Sequence, residues 1–100
     1  MTRTFLFLHA KRGRGERLLH ALEGLEVLAV ATAQPGFLGV EVAASAADGD
    51  SVVIVGSWAS PAHYERWLAG PIPGKLLAQI EDLLAEPPDS RVYRIVESVS

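Results

Sequence analysis

Two short runs of the sequence are apolar at every position, and they limit the fold more than any other feature. The runs are FLFL at 5–8 and VVIV at 52–55. Side chains of a strand point alternately to the two faces of its sheet, so a sheet with one wet face needs strands that alternate apolar with polar residues. These two runs do not alternate. We therefore expect both faces of their sheet to be covered.

The rest of the pattern places these runs in a four-stranded sheet with helices between the strands. Strands are predicted from short apolar runs bounded by turn residues, over 4–10, 37–45, 51–58 and 91–99. Helices are predicted from leucine spacing and helix-start signals, from 16 to about 32, from 61 to about 68 and over 75–85. The apolar stripe of the first helix consists of Leu18, Leu22, Leu25 and Leu28. The GPIPG segment at 70–74 separates the last two helices.

This order of elements predicts an α+β fold of the ferredoxin-like type, β-α-β-β-α-β, with an antiparallel sheet. A chain of 100 residues forms one domain, which we take to span 1–100. The helices of this arrangement cover one face of the sheet. A second copy of the same sheet is the simplest cover for the other face, so we predict a homodimer. The alternative is a monomer with an apolar open face.

Composition excludes several classes of function. The chain has no cysteine, which rules out disulfides, thiolate catalysis and cysteine-ligated metal. Its net charge of −3 offers no general attraction to nucleic acid or to anionic membranes. No apolar run approaches the roughly 20 residues that span a bilayer. The apolar start is too short for a signal peptide. We expect a cytoplasmic protein with neither a nucleic-acid nor a membrane partner, and with no cofactor and no metal.

Both tryptophans and one of the two tyrosines fall within one short stretch, GSWASPAHYERWLAG at 56–70. Ser60 and Pro61 are typical of a helix start, so Tyr64, Trp67 and Leu68 share one helix face just after Trp58 ends its strand. One interpretation is a layer that packs helix on strand. The other is the wall of a small-molecule pocket, with Trp58, Tyr64 and Trp67 as substrate-binding residues. The two interpretations are compatible.

Two histidines are candidates for a catalytic base. His9 lies late on the first strand and shares a face with Phe5 and Phe7, but the sequence does not tell which face meets the helices. His63 lies in the first turn of a helix, where the helix dipole favours a neutral imidazole that can accept a proton. The alternative is a structural role for His9 and an exposed position for His63.

The loop KRGRGER at 11–17 carries four cations and two glycines. Such a loop is either a solvated connection or a phosphate-binding nest. It lacks the Lys-Ser/Thr ending of a P-loop, so the phosphate interpretation has weak support.

Two longer stretches, QPGFLGVEV at 34–42 and VVIVGSWASPAHYERWLAGP at 52–71, resemble the antibiotic biosynthesis monooxygenase family. The resemblance implies a dimeric α+β barrel in which each subunit has a pocket between its sheet and its helices. It also implies oxygen chemistry on small aromatic or polyketide-like molecules without metal or flavin.

Haem-degrading relatives provide a check on this resemblance. They have a tryptophan at the position of Trp67, an asparagine on the first strand and a haem-ligating histidine ten residues after the tryptophan. Here that later position is Leu77, which cannot ligate iron, and the first strand has no asparagine. The sequence therefore argues against haem degradation of that type.

Three functions follow as hypotheses. The first is a cofactor-independent monooxygenase acting on a small aromatic or polyketide-like molecule. The second is a small-molecule binder, cyclase or isomerase on the same scaffold, which would consume no oxygen. The third is a non-catalytic dimerisation module, which would fill the pocket with its own side chains.

Overall fold

The computed structural model describes residues 1–24 and 33–100, and in them the strands form one antiparallel sheet in the order β2-β3-β1-β4. The strands are β1 (Thr2–His9), β2 (Phe37–Ala44), β3 (Ser51–Trp58) and β4 (Asp89–Arg94). The helices in this part of the chain are α1 (Gly15–Gly24), α2 (Pro61–Ala69) and α3 (Ile72–Ile80), and a 3-10 turn follows at Glu81–Leu83. The ferredoxin-like arrangement predicted from the sequence is confirmed.

The register of β1 decides which side chains meet the helices. Leu8 lies opposite Val52 of β3, and both are almost fully buried against Leu18 and Leu22 of α1. The face that carries these side chains is called the helix face. Because strand residues alternate, Phe5 and the other odd-numbered residues of β1 lie on the opposite face, called the open face.

Aromatic side chains crowd the open face. The ring centroids of Phe5 and Phe7 are 6.3 Å apart, and the ring of Tyr93 meets that of Phe5 edge-on at 5.5 Å. The guanidinium of Arg91 lies 5.7 Å from the centroid of the Phe7 ring, held by a hydrogen bond from its Nε to the carboxylate of Asp89. Within the described part of the chain, the helices pack on the other side of the sheet.

Helix α3 differs from its prediction at both ends. It begins at Ile72 and not at Lys75, because Pro73 falls in the first helical turn, where a proline costs no hydrogen bond. It passes into the 3-10 turn after Ile80, and the backbone is extended at Leu84. The buried side chain of Leu84 therefore joins the core from a bridge to Ala10 and not from a helix.

The last strand is also displaced from its prediction, running from Asp89 to Arg94 and not from 91 to 99. Strand β4 pairs with β1 alone, and β1 supplies partners between Thr2 and Phe7. The pairing stops where β1 begins, with one last hydrogen bond from the Ile95 N–H to the Met1 carbonyl at 3.0 Å. The length of β1 therefore limits the length of β4.

The start of α1 is tied to the β2–β3 hairpin by one carboxylate. Asp50 accepts hydrogen bonds from the backbone N–H groups of Gly13 at 3.0 Å and Gly15 at 2.9 Å. These bonds, from Gly13 and then Gly15, hold the pKa of Asp50 below its ordinary value of 3.8. Residue 15 must be a glycine, because a Cβ there would overlap the Gly49 carbonyl. The two backbone donors of the basic loop that a phosphate nest would use are thus bonded to the protein's own carboxylate.

The first helix was predicted to continue to about residue 32. Helix α1 is described as far as Gly24, and the predicted stripe positions Leu25 and Leu28 lie outside the described residues. The first half of the stripe, Leu18 and Leu22, is buried as predicted.

Candidate functional site

A cavity of about 210 Å³ lies between the helix face of the sheet and the helices α2 and α3. Its described lining is almost wholly apolar. The sheet contributes Thr4, Leu6, Leu8, Phe37, Val40, Ile54, Gly56, Trp58 and Ser90. The helices and the segments beside them contribute Leu22, Tyr64, Trp67, Leu68, Pro73, Leu76, Leu77 and Ile80.

Trp58 is the centre of the aromatic wall. It ends β3 in register with Thr2 of β1 and Phe37 of β2, which turns its side chain to the helix face. Its ring is 3% exposed and lies 5.4 Å from the Phe37 centroid, 5.7 Å from that of Tyr64 and 6.3 Å from that of Trp67. These contacts fix the ring, so that it forms a rigid wall.

Helix α2 presents Tyr64 and Trp67 to this wall because of where the helix begins. Ser60 is the N-cap and accepts a hydrogen bond from the His63 N–H, and Pro61 follows in the first turn. This start places Tyr64 and Trp67, three residues apart, on the face that meets Trp58. The structure thus brings together the three residues predicted from the sequence to bind substrate, and all three line the cavity.

The lining side chains with polar atoms are the hydroxyl-bearing Tyr64, Ser90 and Thr4 and the two indoles, Trp58 and Trp67. The Tyr64 hydroxyl lies 3.0 Å from Ser90 Oγ, and Thr4 Oγ1 lies 3.5 Å from the Gly56 carbonyl oxygen, to which it donates a long hydrogen bond. Among the described residues of the lining there is no histidine, lysine, arginine or carboxylate. The site can therefore hold a neutral molecule, with hydroxyls to meet its polar group.

Sequence reasoning did not identify Ser90 or Thr4 as site residues. Ser90 was placed just before the last strand, and no local pattern tells that it meets a tyrosine 26 residues earlier. Thr4 did carry a signal, since it and His9 are the two polar residues of the predicted first strand.

Gly56 keeps the polar end of the cavity open. A Cβ at this position would lie 2.7 Å from Thr4 Oγ1 and 3.1 Å from Trp58 Nε1. Any side chain here would force one of these groups to move. A glycine is thus needed at position 56, because Thr4 and Trp58 occupy the space that a side chain would take.

His63 lies beside the cavity but is not part of its described lining. Its Nδ1 is 2.8 Å from Ser60 Oγ. Its ring covers Gly36, which has a φ of 78°, and a Cβ there would overlap the ring. His63 therefore joins the turn before β2 to the start of α2, and Gly36 is required both for the turn and for this contact.

His9 lies on the open face, which faces away from the cavity. It shares that face with Phe5 and Phe7, and its Nε2 is 3.6 Å from a carboxylate oxygen of Glu86 in an exposed ion-pair geometry. The structure thus places the two candidate bases on different sides of the sheet and brings neither into the described lining.

Neither a metal site nor a membrane-spanning helix is found in residues 1–24 and 33–100. These residues contain no cluster of three or more histidine and carboxylate side chains that could hold a metal ion. None of the helices in this part of the chain is long and apolar enough to cross a membrane.

Solved structures of several proteins share this fold. A proposed antibiotic biosynthesis monooxygenase from Deinococcus radiodurans superposes with a TM-score of 0.82 at 16% identity, covering 100% of this chain and 97% of that one. The protein Rv0793 from Mycobacterium tuberculosis gives 0.80 at 18% identity, with 99% and 98% covered. A protein of unknown function from Nitrosomonas europaea, NE2512, gives 0.80 at 22% identity, with 99% and 92% covered. At these identities the likeness establishes the fold.

The sequence itself identifies the family. The sequence profile of the antibiotic biosynthesis monooxygenase family matches residues 1–72, which is more than half of the chain. The chain belongs to this family, as the resemblance predicted. Comparison with curated proteins found no match.

Proposed function

We propose that this protein is a cofactor-independent monooxygenase that binds a small aromatic molecule in the cavity on the helix face. The observation that carries the proposal is the cavity itself, which has fixed aromatic walls and no charge in its described lining. Flat apolar walls with a few polar groups are the usual design of small-molecule sites. Membership of a monooxygenase family supports the reaction type.

In the proposed reaction the protein binds, orients and shields the substrate. An activated methylene next to an aromatic ring loses a proton to a water molecule, since the described lining supplies no basic side chain, and the carbanion transfers electrons to oxygen. One oxygen atom forms the carbonyl of the product and the other leaves as water, so that CH2 plus O2 becomes C=O plus H2O. Trp58 and Trp67 stack against the ring, and the hydroxyl of Tyr64 meets a substrate oxygen and stabilises the charge that develops there.

We further propose that the working protein is a homodimer in which two open faces meet. Phe5, Phe7 and Tyr93 form a contiguous aromatic patch on this face. Patches of this kind on a soluble domain mark sites of association. A two-fold axis through the patch would cover it with an identical copy and leave both cavities on the outer, helix-covered sides.

A second function uses the same cavity, namely binding or isomerising a small molecule without oxygen. The smooth apolar lining favours it as much as it favours oxygen chemistry. Oxygen uptake separates the two. The metal-free protein is mixed with electron-rich one- and two-ring compounds in an oxygen electrode with a chelator present, and the Trp67→Ala variant is run beside it.

The monooxygenase proposal predicts one oxygen molecule consumed per product formed, with a large loss of rate in Trp67→Ala. Binding of the same compounds without oxygen uptake would replace it with the second function. Failure of every compound to bind would leave the third hypothesis, a dimerisation module.

A further inference from the structure

The hydrogen bond between Tyr64 and Ser90 joins two parts of the molecule that are distant in sequence. Tyr64 is on α2, and Ser90 is on the edge strand β4, in register with Leu6 of β1. Both side chains line the cavity. Neither the predicted pocket wall nor the family match, which ends at residue 72, includes Ser90. Ser90 is identified by its hydrogen bond to Tyr64 and by its place in the lining.

The ring of Tyr64 has little freedom, so its hydroxyl has a fixed position. The residue is 7% exposed, and its ring lies 5.7 Å from the Trp58 centroid at an interplanar angle of 58°. Rotation about the C–O bond is the freedom that remains. That rotation decides whether the proton points to Ser90 or into the cavity.

Ser90 controls this choice through the chemistry of two hydroxyls. Each hydroxyl has one proton to donate and two lone pairs to accept with. When Ser90 donates to the Tyr64 oxygen, the Tyr64 proton is free to point at a ligand. A hydroxyl that accepts a hydrogen bond is also a stronger donor, because the two bonds polarise each other. The pair therefore presents one donor to one oxygen of a ligand.

The size and charge of the cavity limit what that ligand is. A cavity of roughly 150 Å³ admits benzene, and pockets for drug-sized ligands start at roughly 300 Å³. At about 210 Å³ this cavity falls between these sizes. A charged ligand would lose its hydration without a countercharge from the described lining, which carries none. These limits fit a neutral molecule of one or two rings.

We propose that Ser90 is a positioning residue that turns the Tyr64 hydroxyl towards a single hydroxyl or carbonyl oxygen of a neutral one- or two-ring aromatic ligand. The inference rests on the proposed function, since it uses the same cavity. It adds the class of ligand and a residue beyond the predicted wall.

The test compares two probes of nearly the same shape, phenol and toluene. The dissociation constant of each is measured by NMR titration of the full chain, and the ratio of toluene to phenol constants is taken for every variant. The ratio cancels changes in cavity shape that affect both probes. A net hydrogen bond of roughly 0.5–1.5 kcal/mol corresponds to a change in this ratio of about 2- to 12-fold.

We expect Tyr64→Phe to lower the ratio by about 5-fold and Ser90→Ala by about 3-fold, with toluene binding nearly unchanged. Ser90→Thr keeps the hydroxyl and should restore the ratio. Ser57→Ala is the matched control, because it makes the same change on the open face of β3, outside the described lining, and it should leave the ratio within twofold.

Two results would overturn the inference, and they are distinguishable. If both probes bind but Ser90→Ala leaves the ratio unchanged, or Ser57→Ala lowers it as much as Ser90→Ala does, Ser90 has no positioning role while the proposed function stands. If neither probe binds the wild-type protein, the cavity does not accept small aromatics, and the proposed function fails with it.

Discussion

The two faces of the sheet are built from the same strands but are suited to different tasks. On the helix face, Leu6 and Leu8 of β1 join a core that stops short of filling the space beneath α2 and α3. On the open face, the nearly parallel rings of Phe5 and Phe7 of the same strand line an open groove together with Tyr93. The helix face therefore encloses a cavity, whereas the open face offers an aromatic surface to another molecule.

This difference explains how an apolar strand without alternation serves a small protein. The FLFL run supplies leucine to the enclosed side and phenylalanine to the open side. Polar groups divide in the same way. The helix face has the neutral hydroxyls of Thr4 and Ser90, whereas the open face has the imidazole of His9 and the guanidinium of Arg91 near its rim. A shift of one residue in register would exchange the two sets.

The largest effect is expected from placing a charge on the open face. Phe5→Asp should raise the dissociation constant of the dimer by at least about 100-fold, since burying a phenylalanine is worth roughly 1.5–3 kcal/mol and the two-fold axis counts it twice. Light scattering would then report a mass near the 10.7 kDa of one chain. Circular dichroism checks that the variant remains folded.

Two variants sharpen this test. Tyr93→Asp carries the same charge on the edge strand, where a loss of folding is less of a risk, and should also give monomers. His20→Asp, on the exposed side of α1, is the matched control and should remain dimeric. A wild-type protein with the mass of one chain would refute the dimer.

The next effect concerns stability of the helix face. Leu8 is completely buried, so Leu8→Ala should lower the free energy of unfolding by about 2–5 kcal/mol. The measurement is urea denaturation at fixed protein concentration. The comparison is Val53→Ala on the open face of β3. In the monomeric Phe5→Asp background, this variant should lower the free energy of unfolding by less than Leu8→Ala does. An equal loss at both positions would mean that the two faces are packed alike.

A smaller effect is expected from filling the cavity. Val40→Phe adds a ring to the lining and should weaken binding of phenol by about 10-fold, because the space is then occupied by protein. Leu38→Phe adds the same ring at an exposed position of β2 and should leave binding unchanged. NMR titration measures both. Unchanged affinity in Val40→Phe would show that phenol binds elsewhere.

The smallest effect is a dependence of stability on pH. The backbone N–H groups of Gly13 and Gly15 hold the pKa of Asp50 below 3.8, so this carboxylate stabilises the fold above about pH 4. The contribution is lost as pH falls through the lowered pKa. The urea midpoint of Asp50→Asn should therefore lie below that of wild type at pH 7 and approach it at pH 3.

The control for this measurement is Glu65→Gln, which changes an exposed carboxylate on α2. Its difference from wild type should be small at pH 7. A difference between Asp50→Asn and wild type that stays constant down to pH 3 would contradict the assigned role of Asp50.

The sequence predicts most accurately those elements that have a turn or helix-start signal at both ends. Strand β3 was predicted at 51–58 and is found there, because the Asp-Gly turn precedes it and the Ser60–Pro61 helix start follows it. Strand β4 was misplaced, because its length depends on β1, a partner far away in sequence. The sequence predicts the start of helix α3 too late, because Pro71 and Pro73 are typical of an interruption, whereas here they lie at the N-cap and in the first turn.

The candidate site shows the same limit. Trp58, Tyr64 and Trp67 were predicted together because a strand end and a helical spacing bring them together locally. The sequence does not tell which face of β1 meets the helices, because both faces are apolar. The orientation found in the structure places His9 on the face away from the cavity. The pairing of Tyr64 with Ser90 depends on how α2 lies over β4, which no local pattern encodes.

The most direct measurement is a crystal structure of the protein grown with 2-naphthol, a neutral two-ring phenol. We expect two sheets facing each other through Phe5 and Phe7, and density for the ligand in the cavity on the helix face, beside Trp58 and Trp67, with its oxygen at Tyr64. A cavity closed by the protein's own side chains, or a ligand bound between the open faces, would contradict the division of tasks between the two faces.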